Sequence, residues 1–169
     1  MSEHTIAATF VTYASNHMQH LAKDIDACCD RLTEEQMWHR CGEYENSVAN
    51  LLLHLEGNLR QWMIHGIAGE PDVRRRDEEF TLAPSMSAAE ARAHFRKTLD
   101  EASSIIATVR EERLLEIIDP QPTGTWRHTT ILEAIFKVTA HVEYHTGQIV
   151  VLTKQLTHSD LDLSMPRKR

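Results

Sequence analysis

The chain contains four long stretches in which apolar residues recur at helical spacing, and almost none in which they alternate. The first runs from about Thr5 to Arg31, and at about 100° per residue its apolar positions share one face: Ile6, Phe10, Tyr13, His17, Leu21 and Cys28. No alternating apolar run exceeds four residues, and the sequence has no Asn-Gly or Asp-Gly hairpin turn. The pattern predicts an all-α fold.

Capping residues predict where the second and third helices begin. Asn46 or Ser47 can cap helix two, which runs to about Ile67. Ser87, followed three residues later by a glutamate, is a capping box that opens helix three, and this helix extends to about Arg113.

A long link and a fourth helix complete the predicted architecture. The link joins helices two and three over about twenty polar residues and ends at Ala83-Pro84. Thr130 opens helix four with another capping box, and apolar residues line one face of that helix to about Thr157. The sequence therefore predicts a four-helix bundle with a long crossover between helices two and three, in an overhand arrangement.

Length and charge limit the number of domains and the class of partner. A chain of 169 residues has room for one core, so we expect a single domain over residues 1–169. Its formal charge of -7 argues against nucleic-acid binding, which relies on attraction to phosphates. We expect two basic clusters, Arg74–Arg76 and the tail at about 165–169, to be solvated surface charges.

The sequence also predicts a cytoplasmic protein that is not inserted in a membrane. The first residues, MSEHTIAATF, lack the basic start and apolar stretch of a signal peptide, and no run approaches the ~18 apolar residues of a membrane span. Cys28, Cys29 and Cys41 fit neither a disulfide framework nor a zinc-ribbon spacing, so we interpret them as reduced thiols.

Two histidines in helix four are candidate metal ligands. His141 and His145 lie four residues apart on one flank of the apolar face, the spacing that lets two imidazoles reach one ion. Glu143 lies about 200° around the helix from His141, so it cannot act as the base of a zincin-type site. Tyr144 and Gln148 flank the histidines and could orient a ring or a substrate, although Tyr144 could equally pack in the core.

A third ligand must come from another helix, and spacing alone does not choose it. His54 lies in helix two, about 140° from the centre of the apolar face, on the side of Leu51 and Asn58. His17 is the rival, because it lies on the apolar face of helix one and could share a ligand row with His20 and Asp24. Packing of all these histidines without a metal is the remaining alternative.

Three motifs resemble those of a known superfamily. The segments NSVANLLLHLEGNLRQW, GIAGEPDVRRRDEEF and HVEYHTGQIVVLTKQL are similar, in this order, to those of the DinB-like superfamily of bacterial metalloenzymes, in a branch of unassigned function. The resemblance implies a four-helix bundle, a homodimer, and a zinc or nickel ion bound by His54, His141 and His145. His17, Asn58, Tyr144 and Gln148 are then candidates for binding the substrate or supporting the ligands.

The same resemblance suggests a reaction class. Some relatives transfer or isomerise groups with a low-molecular-weight thiol such as bacillithiol or mycothiol, so thiol-dependent transfer to a small electrophile is our first hypothesis. A metal-dependent hydrolase is the second, and a non-catalytic bundle that binds a metal or small molecule in a stress response is the third. The segment at 66–80 could close over the site, pack at a dimer contact, or form an ordered crossover.

Overall fold

A computed structural model of the chain describes residues 5–81, 84, 86–120 and 127–163. Its α-helices in chain order are α1 (Ile6–Cys29), α2 (Glu34–Trp38), α3 (Val48–Leu59), α4 (Ala88–Thr108) and α5 (Ile131–Thr157). Two strands of two residues each are the only extended pairing within the described ranges, so the protein is all-α there, as predicted.

The helices begin where their capping residues predict. Ser47, rather than Asn46, caps α3, and its side chain accepts a hydrogen bond from the backbone N–H of Asn50. Ser87 and Thr130 cap α4 and α5 in the same way, each with a reciprocal glutamate. These caps satisfy N–H groups that the first helical turn leaves without partners.

The four long helices enclose one apolar core. α1 contacts α4 and α5, and α3 contacts the same two helices. Large side chains from all four are completely or almost completely buried between them: Met18, Ile25, Leu52, Leu55, Phe95, Leu99, Ile135 and Val142. Each such side chain stabilises the fold by about 1.5–3 kcal/mol, so the faces found by periodicity hold the molecule together.

Some helix ends and short elements differ from the prediction. After Leu59 the chain continues as a π-helical segment, Arg60–His65. α4 ends at Thr108 rather than near Arg113, because Val109 adopts an extended backbone and a separate 3-10 turn follows at Glu111–Arg113. α2 was not predicted.

A short ladder that the sequence pattern did not predict precedes α5. Strand β1 (Ile117–Ile118) pairs antiparallel with β2 (Thr129–Thr130). With two residues each, these strands are too short to show an alternating pattern.

The link between α3 and α4 folds back against α3. It contains a 3-10 helix, Arg76–Phe80, which contacts α3. The expectation of solvated arginines holds for Arg75, whose side chain is 77% exposed. It is wrong for Arg74, which is 6% exposed because it pairs with a buried carboxylate. The predicted basic tail at 165–169 lies outside the described residues.

In the ranges that the structure describes, no helix combines the length and the hydropathy that crossing a membrane requires.

Candidate metal centre

Three histidines from two helices meet at the seam between α3 and α5. His54 comes from α3, and His141 and His145 come from consecutive turns of α5. Each offers a ring nitrogen, and these three nitrogens all lie within 4.8 Å of one another. His54 and His145 are buried, whereas His141 is half-buried. The group could hold a metal ion, and it contains His54 rather than the rival His17.

Hydrogen bonds at the far nitrogens orient two of the rings. Nδ1 of His54 donates to Oε2 of Glu79 at 2.9 Å, and Nδ1 of His145 donates to Oε1 of Gln148 at 2.6 Å. Both rings therefore carry their proton on Nδ1 and keep the Nε2 lone pair available, the arrangement typical of metal-binding histidines. Nε2 of His54 is 2.9 Å from Nε2 of His141.

Glu79 belongs to a buried ionic network. Its side chain is 7% exposed, and Arg74 donates to both of its oxygens, from Nε at 2.7 Å and from Nη2 at 2.9 Å. Nη1 of Arg74 also donates to Oε1 of Gln61 at 2.8 Å. Although burial raises the pKa of Glu79, the hydrogen bonds from Arg74 and His54 outweigh it and lower the pKa below its usual value. Glu79 is thus an ionised acceptor for His54.

A glycine in α3 leaves room for this network. At Gly57, a Cβ atom would overlap Oε1 of Glu79 and would lie 3.2 Å from Nε of Arg74. Gly57 is one turn beyond His54 on the same helix, so any larger residue would push the carboxylate away from the imidazole.

A second set of hydrogen bonds holds the end of the 3-10 helix over the site. Nε and Nη2 of Arg40 donate to Oδ1 of Asn50 at 3.0 and 2.6 Å. Nη2 of Arg40 also donates to the carbonyls of Phe80 and Thr81, at 3.0 and 2.9 Å. The ring of Phe80 lies 4.9 Å from that of His54. These bonds fix the position of an apolar cover on the imidazole.

The electrostatics keep the α5 histidines neutral. Burial, followed by the nearby imidazoles of His145 and His54, lowers the pKa of His141 to about 3. Burial also lowers the pKa of His145, against the opposing hydrogen bond to Gln148. Both rings are therefore unprotonated at neutral pH, as a metal ligand must be.

The donor set fits a divalent ion. Two nitrogens bound to one ion at about 2.0–2.1 Å stand about 3 Å apart, close to the separation of the His54 and His141 nitrogens. Asn58 lies one turn beyond His54 and on the same face of α3. Its Oδ1 is buried and has no hydrogen-bond partner among the described residues.

The remaining predicted residues have different surroundings. His17 on α1 is outside the group, and its Nε2 is 3.4 Å from Oε2 of Glu143. Glu143 is 64% exposed. Tyr144 is also 64% exposed, so the alternative of core packing is wrong, and its ring lies edge-on to His145 at 5.1 Å. Gln148 contacts His145 directly.

Sequence reasoning missed the residues that the link contributes. The link brings Glu79, Arg74 and Phe80 to the histidines only because it folds back on α3. A polar connection has no periodic pattern from which that contact could be predicted. The sequence did contain one signal, Gly57, which interrupts the apolar helix one turn after His54. Glycine destabilises a helix interior, so a glycine there often marks a place where another part of the chain packs close to the helix backbone.

These observations define an all-α protein with a three-histidine group that could hold a metal ion. The chain belongs to the family described as "Protein of unknown function (DUF1572)", whose sequence model matches residues 5–169. No curated protein matches the chain.

Proposed function

We propose that this protein is a metal-dependent enzyme in which His54, His141 and His145 hold one zinc or nickel ion. The proposal includes a DinB-like four-helix bundle formed by α1, α3, α4 and α5, with the long link as an overhand crossing. The observation that carries it is the convergence of three imidazole nitrogens within 4.8 Å of one another, two of them oriented by acceptors on their far sides.

Three ligands favour a catalytic over a structural site. Structural zinc sites are usually closed by four protein ligands, whereas catalytic sites keep a position open. Within the described residues, no cysteine, carboxylate or fourth histidine joins the group. Histidine ligands are neutral, and an ion that they hold lowers the pKa of a thiol or water bound to it.

The surrounding residues favour thiol-dependent transfer over hydrolysis. Hydrolysis at such a centre usually requires a carboxylate that can take a proton from water. Glu79 does not fit that role, because its oxygens already accept hydrogen bonds from Arg74 and His54 and its pKa is lowered. We therefore propose transfer of a low-molecular-weight thiol to a small electrophile, with a hydrolase or a non-catalytic binding protein as alternatives.

We further propose that the protein forms a homodimer. α5 exposes large apolar side chains along one side of its first half, at Leu132, Phe136 and Tyr144, which are 36%, 67% and 64% exposed. A second copy packed against α5 would remove these side chains from water, which favours association. Sedimentation velocity at micromolar concentration is expected to give the mass of two chains, and a single-chain mass would contradict it.

Metal content tests the assignment of the ligands. We expect protein purified without a histidine tag to retain about one divalent ion per chain. Each of His54→Ala, His141→Ala and His145→Ala should lose it, since removal of one of three ligands weakens binding severely. His20→Ala is the matched control, because its ring is exposed and outside the group. Full metal content in the His141→Ala variant would contradict the proposal.

A second experiment separates the reaction classes. The metal-loaded protein is incubated with a small thiol and an electrophile such as 1-chloro-2,4-dinitrobenzene, and in parallel with activated esters and amides without thiol. Thioether formation that disappears in His145→Ala supports thiol transfer. Ester cleavage without thiol supports the hydrolase alternative, and no turnover in either assay supports the binding protein.

A further inference from the structure

A cavity adjoins the three-histidine group along the same seam. It has a volume of about 510 Å³ and lies between the second half of α5 and the segment leading into α3. Gln148, which holds Nδ1 of His145, also lines this cavity. Leu51 lines it one turn before His54 on α3. The cavity thus meets the histidine group at Gln148.

A glycine in the wall of this cavity has no other evident role. Gly147 lies inside α5, where glycine is less favourable than alanine. Its φ is not in the left-handed region, and among the described residues no atom lies within 4 Å of where its Cβ would be. Neither its backbone conformation nor packing against the described residues of its own chain requires glycine here. What the glycine does preserve is space at the cavity.

The lining of the cavity indicates which chemistry it accepts. Three side-chain amides, from Asn46, Gln148 and Gln155, offer both donors and acceptors. Leu51 and two neighbouring apolar residues of α5 supply the rest of the wall, together with Tyr44 and one carboxylate, Glu45. Among the described residues, no lysine, arginine or histidine lines the cavity. Such a surface favours an uncharged group with amides or hydroxyls and disfavours an anion.

We propose that this cavity binds the uncharged, amide- or hydroxyl-bearing part of the substrate, while the reacting end lies at the three histidines. The inference rests on the proposed function, because it places the reaction at the metal centre. Gly147 determines specificity by leaving the cavity open, and Gln148 links the cavity to the centre. Glu45 discriminates against substrates whose distant end is a carboxylate.

Three hydroxamates of increasing reach test the proposal by calorimetry on the zinc-loaded protein. Acetohydroxamic acid reaches only the ion. N-acetyl-diglycine hydroxamate adds a neutral amide tail, and the N-succinyl analogue adds the same tail with a terminal carboxylate. We expect the neutral tail to tighten binding about tenfold over acetohydroxamic acid, and the carboxylate to remove most of that gain. Equal affinities for all three compounds would overturn the proposal.

A substitution series locates the effect. Gly147→Leu should abolish the gain from the neutral tail, measured relative to acetohydroxamic acid binding to the same variant. Ala107→Leu is the control, because Ala107 is exposed in α4 and does not line the cavity. Gly147→Leu should have a Tm no lower than that of the wild type. A gain in affinity that persists in Gly147→Leu would overturn the proposal. If the oligomeric mass also changes in that variant, the cavity is a contact between copies.

A measurement without metal separates this inference from the proposed function. N-acetyl-diglycinamide, the tail without a hydroxamate, is titrated into metal-free protein and followed by amide chemical shifts. Shifts at Gln148 and Leu152 that are absent in Gly147→Leu support the cavity even if no metal binds. Tight acetohydroxamic acid binding with no shifts from the tail supports the metal centre and contradicts the cavity.

Discussion

Two glycines on facing helices have opposite surroundings. At Gly57 on α3, an added methyl would overlap the carboxylate of Glu79, which orients His54. At Gly147 on α5, the same methyl would enter open space. A substitution that is chemically identical should therefore have opposite effects at the two positions, and this contrast separates local packing from intrinsic helix propensity.

We predict that Gly57→Ala destabilises the protein by about 1–3 kcal/mol, because Glu79 and Arg74 must move away from α3. The same displacement removes the acceptor of His54 and should weaken metal binding by about 10–100-fold. Urea unfolding and competition with a chromogenic chelator measure the two effects. A variant as stable as the wild type, with unchanged metal affinity, would show that the close approach has no consequence.

Gly147→Ala is the matched control, and we predict that it stabilises the protein. Replacing glycine by alanine inside a helix gains about 0.8–1 kcal/mol when nothing obstructs the new methyl. Urea unfolding should therefore give a higher midpoint with an unchanged slope. A loss of stability at this position would indicate that the space beside Gly147 is occupied by another part of the assembly.

The three cysteines should differ in reactivity. Cys28 and Cys29 are buried, and burial raises the pKa of both, that of Cys29 to about 12, whereas Cys41 is exposed. Since the thiolate is the reactive form, we expect one thiol per chain to react with Ellman's reagent at pH 8 in the folded protein. All three should react in denaturant. Rapid reaction of all three without denaturant would contradict the packing of α1.

At the scale of elements, the link between α3 and α4 is a structural part of the site rather than a spacer. Arg40 and Asn50 hold its end at Phe80 and Thr81, and Glu79 contacts His54 from within its 3-10 helix. Arg40 donates to Asn50 in α3 and also to the backbone carbonyls of Phe80 and Thr81 in the link. Hydrogen bonds to backbone carbonyls and to the side chain of Glu79 therefore both hold the link against α3.

We predict that Glu79→Ala costs about 3–5 kcal/mol, because it leaves the buried guanidinium of Arg74 without its carboxylate. The double variant Glu79→Gln with Arg74→Met should recover much of that stability, since both charges are then absent. Metal affinity should fall in both variants, because a neutral amide or no group replaces the carboxylate on His54. Chemical denaturation and metal titration report the two quantities separately.

A control and a contrary result complete this test. Glu78→Ala, in the same 3-10 helix, removes an exposed carboxylate and should change neither quantity appreciably. If the double variant bound metal as tightly as the wild type, Glu79 would serve only the packing of the link.

The sequence predicted the features that depend on residues close together in the chain, and it missed those that depend on contacts between distant segments. Ser47, Ser87 and Thr130 began their helices as predicted, because a cap is decided by residues three positions apart. His141 and His145 were paired correctly, since one helix carries both. His54 lies off the centre of its apolar face, so only resemblance selected it. Glu79 was missed because its contact depends on how a link of irregular conformation folds.

At the scale of the whole molecule, the candidate site joins segments that are distant in the chain. α3, the link and α5 each supply part of it, so the site exists only when the core has formed. Two of its histidines are held neutral by burial within that fold. Protonation and folding are therefore coupled.

We predict that the metal-free protein loses stability as the pH falls from about 6.5 toward 3. The folded state keeps His141 unprotonated down to a pKa of about 3, whereas an unfolded histidine binds a proton below about 6.5. The unfolded state thus gains more protons in this window. Urea midpoints at pH 7 and pH 5 should differ more for the wild type than for His141→Gln.

The control for this effect is a histidine on the surface. His20→Gln should keep the wild-type dependence on pH, because the ring of His20 is 65% exposed. Parallel curves for the wild type and His141→Gln would mean that another group controls the loss of stability in acid.

The different acceptors behind the two oriented rings have a final consequence. A carboxylate makes an imidazole a stronger electron donor than a neutral amide does, and His54 faces Glu79 whereas His145 faces Gln148. Of these two rings, His145 would then form the weaker bond to an ion. Between His54 and His145, the bond from His145 would therefore open more readily when one ion is exchanged for another, so Gln148 would influence how long an ion stays bound.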